Sequence, residues 1–238
     1  MSSSILSPEF KLTSVAFFGR TLEEYLGFFA LKPPTLRGRR ILDVAAGPSS
    51  FTAEARSRGI EATAVDPLYG LSAEALSIYV DADYRRVVGE MRRSVSLLHF
   101  GGFADIDAAE ASRRSAATRF LADYEAGFAQ GRYVGGALPR LPFANRSFDL
   151  VLSAHFLFTY CRHFDFSFHL EGCAELARVS AGEVRIHPLC GPDTRPYPEL
   201  TRLRSDLETR GIRSDIVMVP PQLFGGNNAT LILNPNIS

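Results

Sequence analysis

The chain has 238 residues, 26 acidic and 26 basic, and no formal net charge at neutral pH. That length can bury a substantial core, and the charge balance leaves no overall field to draw the protein onto nucleic acid or anionic lipid. Cys161, Cys173 and Cys190 form no disulfide framework, no signal-peptide pattern opens the chain, and no apolar run would span a bilayer, so the expectation is a soluble cytoplasmic protein folded as one domain over 1–238.

Residues 1–12 are Ser-rich and read as a frayed end or a docking arm. Thr21 with Glu24 three residues on makes a capping box. The helix it opens carries Leu22, Tyr25, Leu26 and Phe29 on one face and stops before Lys32-Pro33-Pro34. It reads first as cover for the edge of a sheet. Closing over a ligand is the alternative, with Arg20 and Tyr25 as the residues to use.

The stretch from Arg40 to Glu54, RILDVAAGPSSFTAE, organises the chain. Ile41, Leu42, Val44 and Ala45 make a buried strand that runs into a tight turn at Gly47-Pro48. Ser49 or Ser50 can cap the helix that follows to about Arg58, and Gly59 ends it. A strand–turn–helix places backbone N–H groups beside the carboxyl end of a strand, where open α/β sheets bind cofactors. Asp43 lies inside an apolar strand and needs partners. The second strand, 62–65, ends in Asp66, at a distance that suits an acceptor for ribose hydroxyls. Pro67 fixes the exit of the chain.

Residues 71–131 are too many for a plain strand-to-strand connection. Helical periodicity runs over 71–80, 84–100 and 108–128, with a break at Gly101-Gly102. The segment reads as a helical insertion that caps the ligand edge of the sheet. A third strand over 132–134 leads to a loop with Pro139 and Pro142. The fourth strand, 150–152, has Asp149 at its start, where a structural role is expected, and His155 at its ligand end. A helix over 166–179, a strand over 183–187 and a helix over 198–210 follow. Two closing strands, 215–219 and 230–233, are joined through 224–228.

In this order the segments resemble the class I S-adenosylmethionine (SAM)-dependent methyltransferases, most of all bacterial members of unassigned substrate. Ile41-Leu-Asp-Val-Ala-Ala-Gly47 with Asp66 is similar to the family's first motif and its ribose-binding acid. Leu141-Pro-Phe-Ala-Asn-Arg-Ser-Phe-Asp-Leu-Val151 is similar to its loop and fourth strand. Glu175-Leu-Ala-Arg-Val179 is similar to the helix that enters its fifth strand. The resemblance spans about 38–188. It implies an α/β fold with a Rossmann-like, seven-stranded, mostly parallel sheet, a closing antiparallel hairpin and the helical insertion after the second strand.

It also implies SAM as cofactor. Asp43, Ala45, Gly47 and Ser49 would lie near its methionine portion. Asp66 would hold the ribose, with Pro67 beside it. Leu68 and Leu138 would flank the adenine, and a backbone N–H of Ala137 or Leu138 would bind the ring. The family's first motif commonly has three glycines; here Ala45 and Ser49 flank Gly47. Gly136 stands where many members carry an acid for the adenine amine. A nicotinamide dinucleotide shares the acid on the ribose but needs a glycine-rich turn around its pyrophosphate.

Methyl transfer from a sulfonium is an in-line displacement, so positioning and desolvation can supply much of the catalysis. A base is needed only where the nucleophile holds its proton tightly. His155 is the first catalytic candidate, with packing or cofactor contact as its other reading. Tyr160 and His163 come second. Cys161-x-His163 and His169-x-x-x-Cys173 have residue types that suit zinc, but the spacing is not that of a finger, and no metal is expected. Ser153-Ala-His-Phe156 after the fourth strand lacks the Asn/Asp-Pro-Pro-Tyr pattern of base-amine methylation, which together with the neutral charge speaks against nucleic acid. The expectation is an enzyme that methylates a small molecule. The alternatives are a non-catalytic SAM-binding subunit that serves a partner protein, and an NAD-dependent oxidoreductase.

Overall fold

The computed structural model of the chain describes residues 12–98, 100, 102–220 and 228–235; the Ser-rich arm before residue 12, Gly101 and residues 224–227 of the closing link lie outside them. Apolar runs covered on both faces make the parallel strands: β1 (Arg40–Val44), β2 (Glu61–Asp66), β3 (Tyr133–Gly135), β4 (Phe148–Ala154) and β5 (Ser180–His187). The last two strands, β6 (Ile212–Met218) and β7 (Ala229–Pro235), pair antiparallel, and β7 joins β5. The seven strands lie in the order β3-β2-β1-β4-β5-β7-β6, which is the expected mostly parallel sheet with a closing hairpin. The direction of winding reverses between β1 and β4, so their carboxyl ends border a crevice.

Six α-helices surround the described sheet: α1 (Leu22–Phe28), α2 (Phe51–Ser57), α3 (Ala73–Arg93), α4 (Ile106–Ala129), α5 (Phe166–Val179) and α6 (Leu200–Thr209). The capping box of α1 is present: Thr21 Oγ1 accepts from the Glu24 N–H at 3.3 Å, and the Glu24 carboxylate accepts from the Thr21 N–H at 3.0 Å. Leu22, Phe28 and Phe29 of this region pack with Ile41 of β1 and Leu150 of β4. The helix therefore covers the face of two central strands rather than an edge of the sheet, and Arg20 and Tyr25, the residues of the alternative reading, line a cavity at the strand ends.

Two details refine the sequence reading. The runs at 71–80 and 84–100 are a single 21-residue helix, α3, that ends at Arg93. Asp81 and Asp83 interrupt the apolar pattern there, but neither is a helix breaker, and Asp83 pairs with Arg86 one turn on at 2.7 Å. Ser50 occupies the cap position of α2 yet makes no capping bond, because its backbone is already helical. Its hydroxyl donates to Glu54 instead, and Ser49 Oγ accepts from the Phe51 N–H at 3.2 Å.

The helical insertion, α3 and α4, packs its Leu76, Tyr84 and Phe120 against Tyr69 and Tyr133, which lie beside the end of β2 and in β3. A buried ion pair between Arg113 of α4 and Glu24 of α1 ties the insertion to the cover helix. Residues 12–20 form a strap without regular structure. It is fixed to α3 by the Phe17 N–H, which donates to Asp83 Oδ2 at 2.7 Å, and to the segment after β4 by the Ala16 N–H, which donates to the Tyr160 hydroxyl at 2.9 Å.

Candidate active site

β1 ends in a turn built from left-handed residues, Ala45 at φ 56° and Gly47 at φ 56°. Glycine takes that conformation freely, whereas alanine is strained in it. The turn is braced by Asp66 at the end of β2. Its Oδ2 accepts from the Gly47 N–H and its Oδ1 from the Leu68 N–H, each at 3.0 Å. The Tyr69 hydroxyl donates to the Gly47 carbonyl at 2.6 Å. Burial pushes the Asp66 carboxyl up to about 6 against the effect of its two N–H donors.

Asp43 has the partner that its buried position requires. The Tyr25 hydroxyl of α1 lies 3.0 and 2.9 Å from its two carboxylate oxygens. Burial raises the pKa values of both groups, and for Asp43 the nearby Asp66 adds to the rise. Tyr25 also stacks on Phe51 of α2 at 4.7 Å, so it is held from two directions.

The strap crosses the turn directly. A Cβ on Gly19 would collide with the Pro48 carbonyl. The Arg20 carbonyl accepts from the Ser50 N–H at 3.0 Å and from Ser49 Oγ at 2.9 Å. The Arg20 guanidinium donates to the Phe18 and Gly19 carbonyls at 3.0 Å, its Nε has no partner, and burial followed by the Arg113 charge lowers its pKa to about 10.

β4 ends in a second strained residue, His155 at φ 53°. Its N–H donates to the His187 carbonyl at 2.6 Å, and its ring lies against Phe28 at 4.7 Å and His187 at 5.4 Å. Burial first, then the Arg20 charge, pushes the imidazole pKa well below the usual range, so the ring is neutral. Its Nδ1 is without a partner. Non-glycine left-handed residues thus cap two neighbouring parallel strands at the crevice, a kind of strain that concentrates at functional sites.

A cavity of about 700 Å³ opens at these strand ends. Ala45, Gly47, Asp66, Pro67 and Leu68 line one part of it, together with Ala137, Leu138 and His155. Tyr160 also lines it, while His163 is exposed outside. Asp43 and Ser49 are sealed behind the lining, at 0% and 2% exposure. They reach the cavity only through Tyr25 and Arg20, both of which face it. A side chain at Gly136 has no room, since its Cβ would lie 2.7 Å from Pro142 and 3.0 Å from Val65. The zinc-type residues are not assembled: among the described residues no three candidate ligands converge. His169 has both ring nitrogens on backbone carbonyls, Asp165 at 2.7 Å and Leu157 at 3.1 Å.

Sequence reasoning missed Gly19, Asp83 and Thr159. An isolated glycine, an acid on a helix and a threonine in an aromatic segment carry no spacing signal. Asp83 lines the cavity from α3 and Thr159 from the segment after β4, while Gly19 lets the strap lie against the Pro48 carbonyl.

No family model matches the chain. The uncharacterized protein MJ0045 of Methanocaldococcus jannaschii is 28% identical over 223 residues, which cover 93% of this chain and 97% of that protein. Among solved structures, magnesium protoporphyrin IX methyltransferase of Synechocystis PCC 6803 with bound SAM is similar with a TM-score of 0.49 and 12% identity, over 90% of this chain and 78% of that one. A SAM-dependent methyltransferase of Aquifex aeolicus gives 0.44 and 16%, over 90% and 88%. No described helix is long and apolar enough to cross a membrane.

Proposed function

We propose that the protein is a SAM-dependent methyltransferase acting on a small molecule. The observation that carries this reading is the cavity at the β1–β4 reversal, bounded by the Ala45–Gly47 turn, the buried Asp66 carboxylate and His155. Its volume suits a cofactor together with a small acceptor. SAM would supply a methyl group made electrophilic by the sulfonium.

The chain's own residues fit the parts of that molecule. Each Asp66 oxygen accepts one backbone N–H, which leaves lone pairs for ribose hydroxyls. Leu68 and Leu138 offer apolar surface for the adenine. With Gly136 forced to be small, no acid at that position accepts from the adenine amine, and a backbone N–H of Ala137 or Leu138 donates to a ring nitrogen instead. Arg20, with its free Nε, suits a carboxylate of the amino-acid portion. Asp43 acts through Tyr25 as a positioning residue. His155, held neutral, offers a hydrogen bond rather than a charge, and the cavity excludes water from the reacting atoms.

The same contacts speak against a dinucleotide. Its pyrophosphate needs the backbone N–H groups at the turn and helix start. Here the Gly47 N–H is bound to Asp66, the Ser50 N–H to Arg20 and the Phe51 N–H to Ser49.

Calorimetry with S-adenosylhomocysteine (SAH), the demethylated product, tests the reading. Binding is expected, together with loss of at least about 100-fold in affinity for Gly47→Val. A Cβ at Gly47 meets nothing nearer than 3.6 Å, so the loss would come from forcing a β-branched residue into a left-handed turn. Unchanged affinity in that variant, or no binding by the natural chain, would overturn the proposal.

A further inference from the structure

The cavity has two halves of different character. One is bounded by the turn, Asp66 and Leu138, and the methyl-transfer reading gives it to SAM. The other lies between the strap, α3 and the segment after β4. Its walls are Val15, Val87 and Met91 on one side and Phe156, Phe164 and Phe168 on the other. The Phe164 and Phe168 rings stack at 4.1 Å and 12°, which gives that side a flat aromatic edge.

Among the described residues three charged side chains line the whole cavity, Arg20, Asp66 and Asp83. Arg20 and Asp66 are tied to the turn. Asp83 is the charge in the second half, and both of its oxygens are engaged, Oδ2 by the Phe17 N–H and Oδ1 by the Arg86 guanidinium at 2.7 Å. The Tyr160 hydroxyl is engaged by the Ala16 N–H. A charged ligand entering here would shed its hydration and meet only a carboxylate already paired with Arg86, which costs several kcal/mol. An apolar ring would gain about 25 cal/mol for each Å² it buries.

Besides Arg20 at Nε, two described lining residues keep an unsatisfied polar atom, His155 at Nδ1 and Thr159 at Oγ1. Both follow β4, where the halves meet. An unpaired buried polar atom costs about 1–3 kcal/mol. A hydroxyl both donates and accepts, so small rotations of these side chains onto one ligand hydroxyl would relieve both.

We propose that the second half binds an uncharged, flat, largely apolar small molecule whose hydroxyl meets His155 and Thr159, and that this molecule is the methyl acceptor. Only the last clause rests on the methyl-transfer reading. The probe is 2-naphthol, titrated calorimetrically into the full chain with and without SAH, beside 2-naphthyl phosphate, which has the same ring with a charge. Naphthol should bind with a Kd below about 1 mM and the phosphate at least about tenfold more weakly. Ala82 is exposed on α3 at the cavity rim, so Ala82→Asp should fold normally. It should weaken naphthol about fivefold or more and leave SAH binding unchanged. No naphthol binding, or equally tight phosphate binding, overturns the proposal. If SAH fails to bind while naphthol binds in an Ala82→Asp-sensitive way, the methyl-transfer reading falls and the apolar site stands.

Discussion

Ala45 holds a conformation that its side chain opposes, at φ 56°. Replacing it with glycine should remove about 1–2 kcal/mol of backbone strain and return part of that as unfolded-state entropy. The expected net gain is about 0.5–1 kcal/mol, seen as a melting temperature raised by a few degrees. Asp66 makes a second test. Its folded pKa of about 6 lies above its unfolded value of 3.8, so between those pH values the native state holds more protons and gains stability as pH falls. His187 works the other way. Burial lowers it from 6.5 to about 3, so the unfolded chain takes up the proton first and stability falls as pH drops through that window. Asp66→Asn removes the offsetting group. Its acid loss of stability between pH 6 and 4, followed by urea melts, should be steeper than that of the natural chain by about 1–3 kcal/mol. Gly47 and Asp66 were legible because a turn glycine and an acid after the second strand have a fixed spacing. The brace between them was not, since a backbone N–H leaves no mark in a sequence.

Among elements, the cover helix and the insertion are coupled through Glu24 and Arg113, both buried and paired. Arg113→Met leaves the buried Glu24 carboxylate with its Thr21 donors but without its ion-pair partner and should cost about 3–5 kcal/mol; adding Glu24→Gln should recover most of it. Chemical denaturation of the single and double variants measures both. The loop after β3 offers a sharper case. Gly136→Asp should destabilise by about 1–3 kcal/mol because Val65 and Pro142 occupy the space. A melting temperature unchanged in that variant would refute the packing account. The helices after β2 were legible as amphipathic periodicity, but not their join. An aspartate pair interrupts an apolar stripe without interrupting backbone hydrogen bonds, so 71–80 and 84–100 looked separate where α3 is continuous.

At the scale of the molecule, the sheet class follows from buried strands alternating with helices, and the paired final strands from two β-rich runs. The strap is the part that no pattern announced. Its residues have neither helical nor strand periodicity, yet it contributes one wall of the cavity, fastened along its length by bonds from Phe17 to Asp83 and from Ala16 to Tyr160 and at its end by the Arg20 carbonyl, which accepts from Ser49 and Ser50. The stretch around Ala16 and Phe17 rests on one bond to α3 and one to the segment after β4, and release of both would open the site. Exchange of a bound molecule is then expected to follow the release of the strap rather than diffusion. Asp83→Ala removes one fastening, and stopped-flow displacement of SAH should show entry and departure quickened together, with the equilibrium constant changed far less than either rate. The expected division is a strap that sets the tempo of the site and a turn and aromatic edge that set what it admits.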